Sequence, residues 1–190
     1  MAVSSQNNSR GGRCGIASAL RRFAGQAHVR ERERGQALIE FSLVAVIMVV
    51  MALGVIDFGR ALYVQQVLTH LSREGSNLAS RNTTLTDTVN AVAADSSPLN
   101  IDSNGYVIVT SIKNNGGTLQ LLEQQTRGGK PSGSRIYNSS SKKFTLPPTI
   151  PAVGQTVYVT EVSYQFSPVT PIGSMLGLVL PSNMYDVAYF

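Results

Sequence analysis

Residues 37–56 read ALIEFSLVAVIMVVMALGVI, twenty consecutive positions at which Glu40 and Ser42 are the polar residues. At about 1.5 Å per residue, a helix of that length matches the ~30 Å hydrocarbon core of a bilayer. A run of this kind constrains everything around it, because the chain on either side must fold separately. The charge pattern orients the run. Seven arginines (Arg10, Arg13, Arg21, Arg22, Arg30, Arg32, Arg34) precede residue 36 against Glu31 and Glu33, which accounts for the whole formal net charge of +5. Positive charge next to an apolar span favours a cytoplasmic N-terminus, so the part after the span is expected outside the cytoplasm.

Several functions are excluded on residue inventory. The basic residues form a short tail ahead of the span, not a patch on a folded domain, so no nucleic-acid partner is expected despite a pI near 9.6. Cys14 is the one cysteine, and after residue 35 the one histidine is His70, so neither a disulfide nor a structural metal site is expected. Nucleophilic catalysis lacks a positioned base, with His70 read as a surface residue of a helix. Asp87, Asp95, Asp102, Glu123, Glu161 and Asp186 are scattered, and Gly116-Gly117 and Gly128-Gly129 read as turns. No enzyme and no cofactor are expected.

Three readings of the N-terminal region compete. In the first, it is a plain signal anchor. In the second, a secretory signal is cut at Ala52-Leu53-Gly54, against which stands the distance of the apolar run from the N-terminus. The third rests on Gly35 followed by Gln36-Ala37-Leu38-Ile39-Glu40-Phe41, which resembles a type IV prepilin cleavage motif. More specifically, RGQALIEFSLV and then GVIDFGRALYVQQVLTHLSREGSNLASR resemble the TadE-like family, minor pilins or pseudopilins of Tad (tight adherence) pilus systems. A looser likeness resumes at VYVTEVSYQFSPVTP.

The resemblance implies cleavage after Gly35 by a prepilin peptidase, removal of a basic leader at 1–35, and a mature chain beginning at Gln36. It implies pairing of Glu40 with the Gln36 amine of a neighbouring subunit. Partners would be the peptidase, a major pilin, other minor pilins, an inner-membrane assembly platform with its secretion ATPase, and membrane lipid. The roles implied are pilus biogenesis, adhesion or secretion. A type IV pilin often starts with a methylated phenylalanine, and Gln36 departs from that pattern. An unpaired carboxylate costs about 2.5–3.5 kcal/mol at a helix centre and less near the interface, so pairing would turn a cost into a register mark. The alternative is an unprocessed, single-pass, membrane-anchored binding module of the cell envelope.

The rest of the chain reads as α+β: a long transmembrane helix followed by a small antiparallel sheet, pilin-like in type. The helix is expected over 36–81, with Ala61, Val64, Leu68, Leu71, Gly75 and Leu78 as an apolar seam and Arg60, Gln65, Gln66, Ser72, Arg73 and Asn77 on its other faces. Asp57 and Arg60 read as an exposed pair at the outer membrane interface, with Tyr63 nearby. The first thirty residues look weakly ordered, with some helix at 16–23. A connector at 82–104 carries a short helix begun by Thr84. In the domain at 105–190, residues 106–112 and 119–125 read as a hairpin and 156–166 as the strongest strand. Residues 127–150 read as a mobile surface loop with a short strand at 143–146, 172–180 as an apolar segment, and 185–190 as an edge strand. The roughly 86 residues after Gly105 are too few for an independent core, so the helix seam must complete it.

Overall fold

The computed structural model describes residues 14–129, 133–147, 151–171 and 181–190, with side chains described from Gly35 onward. The apolar segment expected at 172–180 lies outside the described residues. The chain divides into two units, Met1–Ala52 and Leu53–Phe190. It is α+β, as the sequence implies.

Helix α1 runs over Cys14–Ser80. Its start corrects the expectation of weak order before residue 35. Ala, Arg, Gln and Glu dominate residues 17–34 and are strong helix formers, and the interior glycines at 25 and 35 cost only about 1 kcal/mol each. In the first unit, the side chains of 35–52 are exposed, or half-buried at Ala45. The segment of α1 from Gly35 to Ser80 is long and apolar enough to cross a membrane, and its apolar stretch is unburied.

The second unit is built on a four-stranded antiparallel sheet in the order β2-β1-β5-β6. Strands β1 (Gly105–Asn115) and β2 (Thr118–Arg127) form the expected hairpin. The turn is the two residues Gly116 and Gly117, at φ 62° and 93°. Both angles favour glycine, and a two-residue turn of this hand follows the strand twist. Asn114 secures the turn by accepting from the Gly117 N–H at 2.8 Å. Strand β5 (Thr156–Gln165) lies between β1 and β6 (Asn183–Tyr189), and β6 is the edge expected of the C-terminal residues.

One face of the sheet receives the seam of α1. Ala61, Val64, Leu68, Leu71 and Ala79 pack with Val107, Val109, Val162 and Met184, joined by Leu85, Val89 and Val92 of helix α2 (Leu85–Asp95). Thr84 caps α2 by accepting from the Asp87 N–H, as its capping-box spacing implies. A short helix, α3 (Ile101–Asn104), leads into β1. Gly75 marks the closest approach of α1, where a Cβ would lie 2.7 Å from Thr160 Cγ2. Beside it, the Ser72 and Ser76 hydroxyls donate to Asp186 Oδ2 and the Ala188 carbonyl, tying α1 to β6. Ser72 is therefore buried, not on an outer face of the helix.

The other face is also covered, which corrects the reading of 127–150 as a mobile surface loop. Ile136, Phe144 and Leu146 pack against Ile112, Val157 and Val159. A small hairpin of β3 (Tyr137–Asn138) and β4 (Lys143–Phe144) shapes this cover. Because β5 carries Val157 and Val159 on one side and Val162 on the other, either face left open would expose aliphatic surface.

Candidate processing and assembly site

The residues singled out in the sequence lie on one turn and a half of α1. Gly35, Gln36 and Glu40 are all exposed. The i,i+4 spacing puts Gln36 and Glu40 on one helix face, and Gln36 Nε2 donates to Glu40 Oε1 at 3.1 Å. The fold thus brings these two side chains together within one chain. A Cβ built on Gly35 would meet nothing within 4 Å, so packing places no demand for glycine there. Leu38, Ile39 and Phe41 flank the pair and are more than two-thirds exposed.

Asp57 stands differently from the expectation. The sequence presents it as half of an exposed pair with Arg60, yet its side chain is fully buried. Its carboxylate accepts from the Val169 N–H at 3.0 Å and from the Thr170 hydroxyl at 2.5 Å, with a longer contact from the Thr170 N–H. The physical reason is that the strap after β5 holds Pro168 and Pro171 and cannot join the sheet. Its N–H groups need an acceptor outside the sheet ladder, and Asp57 supplies one. The Arg60 guanidinium lies over the Phe166 ring, 5.8 Å from its centroid.

Two further polar clusters are not foreshadowed by the sequence. Glu161, in the middle of β5, is fully buried under the 133–147 cover. Its carboxylate accepts from the Ser134 hydroxyl, the Arg135 N–H at 2.7 Å and the Tyr185 hydroxyl at 2.7 Å. The Arg135 guanidinium stacks 4.1 Å from the Tyr185 ring centroid. Burial, then the bond to Glu161, pushes the Tyr185 phenol above its usual range, and burial does the same to Tyr189. Arg127 forms the second cluster. Its guanidinium makes a two-pronged bond to Asp102, both contacts at 2.8 Å, and donates to Asn90 at 2.8 Å. The bond holds the Asp102 carboxyl below its usual range and Arg127 above its own. This clamp joins α2, α3 and the end of β2. His70 is exposed, 3.6 Å from Asp95.

Neither cluster carries a sequence motif. The nearest signal for Glu161 is its place in TVYVTEVSYQF, a carboxylate on the same side of a strand as Val157 and Val159.

No curated protein and no solved structure matches the chain. Residues 35–77 match the model of a family described as TadE-like protein. The match begins at the glycine that precedes Gln36 and extends through the α1 seam that packs on the sheet. Over Gly35 to Asn77 the chain is therefore similar to TadE-like protein.

Proposed function

We propose that the chain is a minor pilin or pseudopilin of a Tad pilus machine, cut after Gly35 by a prepilin peptidase and held in the bacterial inner membrane by α1. Its N-terminus faces the cytoplasm, and residues 105–190 lie on the extracytoplasmic side. It acts as a structural subunit in pilus biogenesis, adhesion or secretion, without an enzymatic step of its own. The observation that carries this reading is the empty space around Gly35 within a TadE-like match. A glycine that neither packing nor a positive φ calls for fits recognition by a peptidase.

The exposed apolar side chains that follow, interrupted by Glu40, fit a helix meant for lipid and then for neighbouring helices. Cleavage would place the new α-amine about 6 Å along the helix from Glu40. Glu40 then pairs with the Gln36 amine of the next subunit.

A second reading is favoured by the continuity of α1 across Gly35 and Gln36. In that reading the chain is an unprocessed envelope anchor carrying a binding module. Deleting the chain from a Tad-competent strain distinguishes the roles. The pilin reading expects pili to disappear and to return with the full-length chain, whereas unchanged pili contradict it.

A further inference from the structure

At the end of the apolar run and past it, one side of α1 stays apolar and, among the described residues, uncovered. Val55, Phe58 and Leu62 occupy positions i, i+3 and i+7 and are 69%, 55% and 50% exposed. They lie on the exposed arc of the helix, about a third of a turn round from Ala61, Val64 and Leu68, which are buried in the core. Tyr63 is exposed beside them, and Gln65 and Gln66 follow. The strap after β5 adds a further apolar group. The Val169 N–H is held on Asp57, so this side chain is fixed near the level of Phe58, and it is 69% exposed.

The charges at this level are turned away from the apolar side. Asp57 is sequestered by the strap, and Arg60 is engaged on Phe166. Besides the exposed Arg60, what α1 presents here is two aliphatic side chains, a phenylalanine and a tyrosine.

From this arrangement we propose that the second unit rests directly on the bilayer, with Phe58, Leu62, Tyr63 and Val169 in the outer headgroup layer. The inference rests on the reading of α1 as a membrane span. At helical rise, the backbones of Phe58 and Leu62 lie about 3 and 9 Å beyond Ile56; helical side chains lean back toward the N-terminus, so Phe58 falls within a headgroup region about 5–8 Å deep and Leu62 reaches its outer edge. The chemistry also agrees. A tyrosine at the far edge of an apolar belt suits the headgroup level, where its ring meets the interface and its hydroxyl is hydrated. Lipid is favoured over a second copy because this surface continues, along one helix, the apolar run that ends at Ile56. Asp57 is then a latch: it holds the strap against α1 so that Val169 points to lipid.

The chain has no tryptophan, so a single Val169→Trp substitution introduces one fluorophore. The full-length variant is reconstituted in phosphatidylethanolamine/phosphatidylglycerol vesicles, with and without brominated acyl chains, and vesicle flotation checks its retention. Val153→Trp, at a site 68% exposed on a different loop, is the aqueous reference, and Phe58→Trp is a second, conservative reporter. Brominated lipid is expected to lower the indole emission of the Val169→Trp and Phe58→Trp chains at least twofold, with little effect of aqueous iodide. The Val153→Trp chain should respond the other way. Quenching of both reporters by iodide and not by brominated lipid overturns the proposal. Shielding from both quenchers overturns it in favour of protein contact. A chain that does not float with vesicles refutes the membrane span itself, whereas a floating chain with iodide-quenched reporters refutes only the seating of the head.

Discussion

A Glu40→Ala chain is expected to accumulate in the membrane at the wild-type level while pilus production falls to that of a strain lacking the chain. The two halves of this result follow from one physical fact. Taking an ionised carboxylate out of the apolar run removes a penalty of up to about 2.5–3.5 kcal/mol on insertion, so insertion cannot be what fails. What is lost is the charge that would meet the Gln36 amine of the next subunit. Glu40→Gln separates charge from hydrogen bonding. Its amide can still accept from Gln36 Nε2, as Glu40 does at 3.1 Å, but cannot form an ion pair. The charge-pairing reading expects Glu40→Gln to fail with Glu40→Ala. Full pilus production by either variant would contradict the assembly role of Glu40.

The second large effect concerns the sheet. Glu161→Ala is expected to destabilise the chain by about 3 kcal/mol, at the upper end of ordinary single substitutions. The Ser134 hydroxyl, the Arg135 N–H and the Tyr185 hydroxyl would all lose their shared acceptor beneath the cover. Each buried donor left unpaired costs about 1–3 kcal/mol, less where water can enter. Glu161→Gln keeps the shape and one carbonyl acceptor, so its loss should be smaller. Thermal unfolding of the detergent-solubilised chain, followed by circular dichroism, measures both.

The same cluster gives a pH signature. Tyr185 has its folded pKa raised above the ordinary 10.0, so its contribution is intact below pH 10. It is lost as pH rises beyond that value, because the unfolded phenol ionises first. Removing Glu161 deletes the second-largest cause of that shift and should flatten the alkaline loss. An Ala variant as stable as the parent would show that the 133–147 cover is not held by this carboxylate.

Much of the fold could be read from periodicity. Ala61, Val64, Leu68, Leu71 and Gly75 recur at helical spacing, and each is buried against the sheet or α2. The glycine pair at 116–117 announced the hairpin, and Thr84 the start of α2, because turns and caps are decided by adjacent residues. The misread features depend on partners distant in sequence. Asp57 looks like a boundary charge until Val169 and Thr170 arrive from more than 110 positions away. Ser72 looks like a surface residue until Asp186 meets it. The polar, glycine-rich composition at 127–150 signals a loop but says nothing of the aliphatic sheet face that Ile136 and Phe144 must cover.

For the candidate site, the contact between Gln36 and Glu40 follows from their spacing within one helix, whereas their proposed role rests on the resemblance of Gly35 to Phe41 to a prepilin motif. The proposed pairing between subunits would belong to an assembly that a single chain does not contain.

The most direct measurement is the intact mass and N-terminal sequence of the membrane-extracted chain, produced with and without an active prepilin peptidase. The pilin reading predicts a chain beginning at Gln36 when the peptidase is active and the full 20.3 kDa chain when it is not. A full-length chain in both cases would contradict processing at Gly35 and leave α1 as an uncut anchor.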